Sequence, residues 1–327
     1  TFDFTFTPYT AAGSTTAQDQ IAMTFTGSTR FTHNNGSANI FTTGTLANGS
    51  ATLFGTLNPI TTGASTQSDG TYSNRLTADT EGLVLDRRPG KSGQGWIGDE
   101  YGASIYHFNA SKQIDGQVIL PPVYVPHSPV GTTNFAGTPT NGRRDNQGME
   151  GLAQSPDGTK LFGLMQSALV HDSLTGNQGR YNTRLLVYDI SSTDTPSDPI
   201  AQYVIQLPVA DDTGSTTNGT TVNRNCAQSS ILALNDHQIL ILARDGNGRG
   251  ASGTPVFKSI LLADLNGATN IDGTYDAEGN TIISGGALNP AITPLSWTEA
   301  LNMIGKLGTA TAAEVAKFGL NLNTAPG

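Results

Sequence analysis

Apolar and polar residues alternate in several short runs of the chain, beginning at its first residues. Polar residues separate Phe2, Phe4 and Phe6, and a second run from Ile21 to Phe25 has the same spacing. A period of two places alternate side chains on opposite faces of an extended segment, as in a half-buried β-strand. Many short runs of this kind in a glycine-rich chain predict an all-β protein.

Three longer apolar runs repeat one pattern, in which a strand ends near Asn or Asp and a polar turn follows. They start at Ser104, Leu185 and Ile260. These starts lie further apart than the ~40 to 50 residues of one propeller blade. Each interval therefore holds either two blades or one blade with long insertions. The candidate insertions are 131–147 and 211–225. They are either functional loops or flexible surface loops without a function.

Helix is predicted only near the end of the chain. The run Ser296-Trp297-Thr298-Glu299 fits a capping box, and the apolar residues after it fall on one face of a helix. A second box, Thr311-Ala312-Ala313-Glu314, opens another short helix. We therefore expect helix to be confined mainly to about 296–319.

Two short motifs place an acidic residue and a glycine immediately before an apolar strand. Glu150 in the second motif repeats the position of Glu81 in the first. A carboxylate at the same point of repeated β units predicts a central site rich in acids. The motifs are Asp79-Thr80-Glu81-Gly82-Leu83 and Gly148-Met149-Glu150-Gly151-Leu152, and they are followed by Trp96-Ile97-Gly98-Asp99-Glu100-Tyr101-Gly102, Leu164-Met165-Gln166 and Leu242-Ala243-Arg244-Asp245.

In this order the motifs resemble the phytase-like family with esterase-like activity, from about Asp79 to about Leu265 and more weakly through Phe318. The resemblance implies a β-propeller, which we expect to have six or seven blades. We treat 1–327 as a single domain. The resemblance also implies a phosphomonoester hydrolase in which carboxylate-held calcium orients the phosphate and activates water.

In the family a further β stretch follows the helical segment, whereas this chain ends at Pro326-Gly327. An open propeller ring would expose unpaired strand edges. We therefore expect a second polypeptide to complete the ring, with Cys226 as a candidate for a disulfide tether. The alternatives are a fragment, or a divergent member that closes the ring with its own N-terminal strands.

Side chains with oxygen donors are the candidate metal ligands. Asp79 and Glu81 would leave the same face of an extended segment, where two carboxylates repel unless a cation or a proton lies between them. Calcium is the expected ion, because the candidates are oxygen donors and the histidines are scattered. The alternative is that each acid accepts backbone N–H hydrogen bonds and braces the fold. The candidate ligands are Asp79, Glu81, Asp99, Glu100, Glu150 and Asp245, with Gln166 as a further oxygen donor or a strand cap.

Basic residues are scarce, so those beside the acidic motifs are candidates for binding an anion. The guanidinium of Arg143 or Arg244 can bind a phosphate or carboxylate through two hydrogen bonds, with an ordinary ion pair as the alternative. His171, next to Asp172, is a candidate for proton transfer. The candidate catalytic residues are Glu81, Glu150, Arg244 and His171.

The chain carries a net charge of −9 and no run of Lys or Arg, which argues against nucleic acid and anionic membranes as partners. No apolar run is long enough to cross a bilayer, and a single cysteine excludes a disulfide within the chain. We expect a secreted, extracellular protein. The candidate N-glycosylation sites are Asn35, Asn48, Asn109 and Asn218.

Two functions from different classes fit these observations. The first is a secreted, metal-dependent hydrolase of phosphomonoesters or related esters. The chain has no Gly-x-Ser-x-Gly motif, which argues against an esterase of the α/β-hydrolase type. The second is a non-catalytic propeller that binds carbohydrate, or a lyase or lactonase acting on carbohydrate with the same fold. Both imply a small-molecule or carbohydrate ligand.

Overall fold

The protein is all-β in the part of the chain that the structure describes. This computed structural model describes residues 1–6, 21–29, 31–33, 46–48, 61–63, 78–102, 104–134, 138–173, 179–210, 224–246 and 257–303. Helix in these residues is limited to two 3₁₀ turns, Pro122–Tyr124 and Val170–Asp172. The prediction of an all-β protein is therefore confirmed.

The chain begins with short strands, and the first large sheet follows. The early strands are β1 (Phe2–Phe6), β2 (Ile21–Phe25), β3 (Thr32–His33), β4 (Leu46–Asn48) and β5 (Thr61–Gly63). The first sheet contains β6 (Thr80–Leu85), β7 (Gly95–Asp99), β8 (Ser104–Phe108) and β9 (Gln113–Val118). These four strands form an antiparallel meander, and β3 joins its edge in parallel to β9.

Two further meanders follow, each of four antiparallel strands. The second sheet contains β10 (Met149–Gln154), β11 (Lys160–Met165), β12 (Asn182–Asp189) and β13 (Ala201–Gln206). The pair β14 (Val209–Ala210) and β15 (Arg224–Asn225) leads to the third sheet. That sheet contains β16 (Ala227–Ala233), β17 (Gln238–Arg244), β18 (Lys258–Asp264) and β21 (Ser296–Asn302), with the small hairpin β19 (Ile283–Ser284) and β20 (Ala287–Leu288) between its last two strands.

The three repeated apolar runs form the third strand of each sheet. They correspond to β8, β12 and β18. In the described residues each interval between them therefore contains the parts of one four-stranded sheet and its insertions, and not two sheets.

The helix predicted from Ser296 is wrong for the residues that the structure describes. Ser296–Asn302 pairs with β18 along an edge that would otherwise be open. Glu299 accepts hydrogen bonds from Ser259 Oγ at 2.6 Å and Asn302 Nδ2 at 3.2 Å instead of closing a capping box. The Trp297 indole donates to the Gln206 carbonyl at 2.8 Å. The rest of the predicted helix, 304–319, lies outside the described residues.

The sheets pack on one another in chain order through two apolar clusters. One cluster joins the first and second sheets and includes Trp96, Ile105 and Leu161. The other joins the second and third sheets and includes Phe162 and Ile241. Strand β10 packs against β6 and β7 on one side and against β16 on the other. The first strands of the three sheets therefore lie side by side, and the candidate site forms along them.

Candidate functional site

A β-bulge interrupts the first strand of each sheet. In β6, Glu81 and Gly82 lie opposite the single residue Gly98. In β10 the extra residue is Glu150, and in β16 it is Ser229. A bulge bends the strand and redirects a side chain. The repeated acidic motif is thus a repeated bulge, and Ser229 occupies the same position in the third sheet.

Glycines beside the bulges allow the first two sheets to approach closely. A Cβ atom on Gly82 would lie 2.8 Å from the Glu150 carbonyl oxygen, and one on Gly148 would lie 2.1 Å from the Glu100 carbonyl oxygen. Real side chains do not tolerate such distances to backbone atoms. Glycine in both acidic motifs is therefore needed to bring the carboxylates of the two sheets together.

Three carboxylates form a compact group, which we call the acidic cluster: Asp79, Glu81 and Glu100. One carboxylate oxygen from each lies within 4.8 Å of the other two. The Glu100 amide donates to the Asp79 carbonyl at 2.8 Å and joins the two segments. Glu100 is buried, whereas Glu81 is exposed. The cluster has the composition expected of a site for a hard cation.

Burial and mutual repulsion raise the pKa of the cluster's glutamates. The pKa of Glu100 is about 8, because the side chain is buried and because Glu150, Asp79 and Glu81 are close. The pKa of Glu81 is raised by burial and by Asp79, while the charge of Arg244 opposes this shift. Without a counter-charge, ionisation of the cluster is therefore unfavourable.

Glu150 lies beside the cluster. Its side chain is 4% exposed, and its Oε2 atom is buried with no hydrogen-bond partner among the described residues. Burial raises the pKa of Glu150 to about 7, while hydrogen bonding to Gln166 and the charge of Arg244 oppose the shift. Gln166 Nε2 also donates to Glu100 Oε1 at 2.7 Å. Gln166 thus joins Glu150 to the cluster as a hydrogen-bond donor, and not through its carbonyl oxygen.

Two arginines supply positive charge near these acids. Arg244, at the exposed end of β17, is close enough to lower the pKa of both Glu81 and Glu150. Arg143 is fully buried, contacts Asp145 at 3.2 Å and also interacts with Asp99 and Glu100. Arg244 is therefore the exposed cation at the site, whereas Arg143 compensates buried charge.

Asp99 and Asp245 interact with groups outside the acidic cluster, namely backbone amides for Asp99 and Lys258 for Asp245. Asp99 accepts from the Asp79 and Tyr101 amides at 3.0 Å and from the Gly102 amide at 2.9 Å, and burial nevertheless raises its pKa to about 7. Asp245 forms an ion pair with Lys258 at 3.0 Å. Asp99 therefore holds Asp79 in position, as the bracing alternative predicted, and neither residue belongs to the acidic cluster.

His171 belongs to a different polar network. Its Nδ1 accepts from the Gly142 amide at 3.1 Å, and burial lowers its pKa. The adjacent Asp172 forms a buried ion pair with Arg184 at 2.7 Å. The described contacts therefore connect His171 to Gly142, Asp172 and Arg184, and not to Glu81 or Glu150.

The remaining predicted positions lie apart from the acidic cluster. Cys226 is a fully buried free thiol, whose pKa burial raises to about 12. Asn109 caps a turn, where its Oδ1 accepts from the Ser111 amide at 2.9 Å and its Nδ2 donates to Gln113 at 3.1 Å. Asn48 ends β4, and Asn35 and Asn218 lie outside the described residues.

Comparison with known proteins gives two findings. The model of the phytase-like family, described as "Esterase-like activity of phytase", matches residues 12–308. The chain is also 31% identical over 252 residues to an "Uncharacterized secreted protein" of Arthroderma benhamiae, and the match covers 70% of this chain and 47% of the relative. The chain therefore spans about half the length of this curated relative. Among the described residues, the structure has no helix long and apolar enough to span a membrane.

Proposed function

The chain belongs to the phytase-like family, and we propose that it is a metal-dependent hydrolase acting on phosphomonoesters or related esters at the acidic cluster. The prediction of secretion is confirmed by the secreted relative. The observation that carries the proposal is the convergence of Asp79, Glu81 and Glu100, whose carboxylate oxygens lie within 4.8 Å of one another. Beside them lies Glu150 Oε2, which forms no hydrogen bond of good geometry in the part of the chain that the structure describes. A buried, uncompensated carboxylate oxygen is costly unless a cation or a proton neutralises it.

Calcium fits this set of residues. Its usual ligands are carboxylate and other oxygen atoms, which the cluster supplies. Asp79, Glu81 and Glu100 would hold the ion, with Glu150 beside it. A bound divalent cation would offset the repulsion between the acids and an anionic substrate and would polarise its oxygen atoms.

The protein's own groups would perform the other steps. The Arg244 guanidinium binds the anionic oxygens of the substrate, for which its planar donors are suited. Glu150 Oε2 accepts a proton from the attacking water, because a carboxylate with a pKa near neutrality is an effective general base. Asp99 orients Asp79 through the Asp79 amide.

The proposed architecture is a β-propeller with six or seven blades, of which the three meander sheets would be three. Four-stranded antiparallel sheets packed in chain order are the units from which propellers are built. The blade number and closure of the ring are part of the proposal.

Metal analysis and turnover together test the function. Purified protein is analysed for bound divalent metal and then assayed on a phosphomonoester and a carboxylic ester, before and after chelator treatment and after calcium is restored. We expect chelator to abolish turnover, calcium to restore it and Glu150→Gln to lower it. Glu299→Gln, an exposed change outside the cluster, is the matched control. Full turnover in metal-free protein would exclude the proposal, and carbohydrate binding without turnover would favour the second function.

A further inference from the structure

The third sheet contributes a residue to the same site. We propose that Ser229 is a binding residue of the site and that its hydroxyl oxygen is a neutral ligand of the cation held by the acidic cluster. This inference rests on the proposed function, because it assumes that a cation binds there. It adds a residue that no acidic motif marks in the sequence.

The first observation is positional. Ser229 is the extra residue of the bulge in β16, as Glu150 is in β10 and as Glu81, together with Gly82, is in β6. Strand β10 packs between β6 and β16, so the three bulges lie on adjacent strands. A bulge directs its extra residue out of the regular alternation of side chains. Glu81, Glu150 and Ser229 therefore occupy the same position, the bulge of the first strand, in three neighbouring sheets.

The second observation is that particular buried oxygen atoms at this junction have no hydrogen-bond partner of good geometry. Ser229 Oγ and Glu150 Oε2 are both buried, and neither forms a hydrogen bond of good geometry among the described residues. The Ser229 hydroxyl is nevertheless close enough to Glu150 to lower the pKa of that carboxyl, which burial raises. The side-chain oxygen Oε1 of Gln228 is also buried with no hydrogen-bond partner among the described residues. It faces Gly151, where an added Cβ would lie 2.7 Å from it. Buried polar atoms are rarely left unpaired in proteins. Unpaired oxygens beside an acidic cluster are the surroundings that a cation would satisfy.

The third observation is that Gln166 ties the third sheet to the cluster. Its side chain donates to Glu100 at 2.7 Å, and its backbone carbonyl accepts from the Gln228 amide at 3.4 Å. Ser229 follows Gln228 directly. The nearby Ser229 hydroxyl also opposes the raised pKa of Glu150, which agrees with the two side chains being neighbours.

The chemistry of the position follows from its neutral oxygen. Burial and the charges of Glu150, Asp79 and Glu81 already raise the pKa of Glu100, so a further carboxylate on β16 would increase repulsion in the free protein. A hydroxyl supplies an oxygen to calcium without that repulsion. The position should therefore control how strongly the site binds the cation.

Calcium titration followed by calorimetry tests this role, using metal-free protein and four variants. Ser229→Ala should weaken calcium binding roughly two- to tenfold, the usual loss for one neutral polar contact. Ser229→Thr retains the hydroxyl and should bind nearly as the unmodified protein does. Ser229→Asp places a carboxylate at the position and should strengthen calcium binding while lowering the melting temperature in chelator. Ser230→Ala, at the exposed neighbouring serine, should change neither quantity.

The outcomes separate the two proposals. If the unmodified protein binds calcium and Ser229→Ala and Ser229→Asp bind it equally well, Ser229 is not a ligand, while the proposed hydrolase stands. If the unmodified protein binds no divalent cation, both the metal-dependent function and this role are wrong. Weaker binding in Ser229→Ala together with tighter binding in Ser229→Asp supports the proposal, because a merely structural serine would not produce opposite effects.

Discussion

At the scale of single residues, the site combines a group of acids, some buried and some exposed, with an exposed cation, Arg244. Arg244 is exposed and its charge acts on both Glu81 and Glu150, whereas Arg143 is buried among acids. Only an exposed guanidinium can exchange its water for the oxygens of a substrate without breaking the fold. Arg244 should therefore determine the preference for anionic substrates.

Replacing Arg244 by Gln should lower kcat/KM for a phosphomonoester roughly 10- to 100-fold, the loss expected for a charge-assisted hydrogen bond. The rate with an uncharged carboxylic ester should change much less, because that substrate carries no anionic oxygen before reaction. Arg87→Gln, at another exposed arginine, is the control and should leave both rates unchanged. Equal losses on the two substrates would show that Arg244 acts on the fold of the site and not on substrate charge.

The raised pKa values make a second prediction, about stability in chelator. Glu100 and Glu150 have pKa values of about 8 and about 7, well above those of glutamate in an unfolded chain. Between about pH 5 and 8 the folded state therefore binds more protons than the unfolded state. The free energy of unfolding of metal-free protein should be highest near pH 5 and should fall as the pH rises through these values.

Urea unfolding at several pH values, with chelator and with calcium, measures this dependence. Calcium should remove most of the loss at pH 8, and Glu100→Gln should flatten the curve in chelator. Glu299→Gln changes the net charge equally at an exposed position and should leave the slope nearly unchanged. Stability that rises with pH in chelator would contradict the assigned pKa shifts.

At the scale of strands, the sequence predicted what depends on local pattern. The alternating runs became strands, and the acid-glycine motifs became bulges on adjacent strands. The two motifs were recognisable in the sequence because the acid supplies a charge to the site, and the adjacent glycine allows the backbones of two sheets to approach closely. Ser229 was missed because a serine carries no such signal, and its position is visible only in the pairing of β16 with β17.

The predicted helix failed for a long-range reason. Ser296 and Glu299 have the spacing of a capping box, but Ser296–Asn302 instead pairs with β18. A long insertion separates the two strands in the sequence. A helix at this place would leave the outer edge of β18 without partners. Tertiary pairing therefore overrides a local capping pattern that contains no information about the open edge.

The close approach of the first two sheets gives a prediction at this scale. In Gly148→Ala the new Cβ would lie 2.1 Å from the Glu100 carbonyl oxygen and should push β10 away from the cluster. Overpacking of this kind costs about 1 to 3 kcal/mol, and calcium binding should weaken together with stability. Gly246→Ala has no atom within 4 Å of its new Cβ and serves as the control. Unchanged stability and calcium affinity in Gly148→Ala would show that the two sheets adjust freely at this point.

At the scale of the whole molecule, the described sheets expose apolar side chains on the outer faces of the row. Gly82 faces the second sheet, so Leu83 and Leu85, which are 60% and 57% exposed, point away from it. In the third sheet, Ile231 and Ala233 pack toward the second sheet, while Leu232 and Leu234 are exposed. Exposed leucines on the outward faces of both outer sheets are expected where a further sheet packs.

These two faces favour completion by further β sheets of the same kind, in agreement with the expected propeller and with a relative of which the match covers 47%. We predict that the protein isolated from its natural source contains a second polypeptide, or further chain, that covers Leu83, Leu85, Leu232 and Leu234. Intact mass under denaturing conditions should exceed that of the 327 residues or show a second species.

A disulfide through Cys226 remains a prediction, and it requires the buried thiol to become accessible during assembly. Mass analysis with and without reductant tests for this disulfide.

The two exposed leucine faces can be tested directly. The double variant Leu83→Asp with Leu232→Asp should release the second species, whereas Ile200→Asp, at an exposed position before β13, should not. A single 327-residue species that remains monomeric, with no change in solubility when these leucines become aspartates, would show that both faces are ordinary solvent-exposed surface.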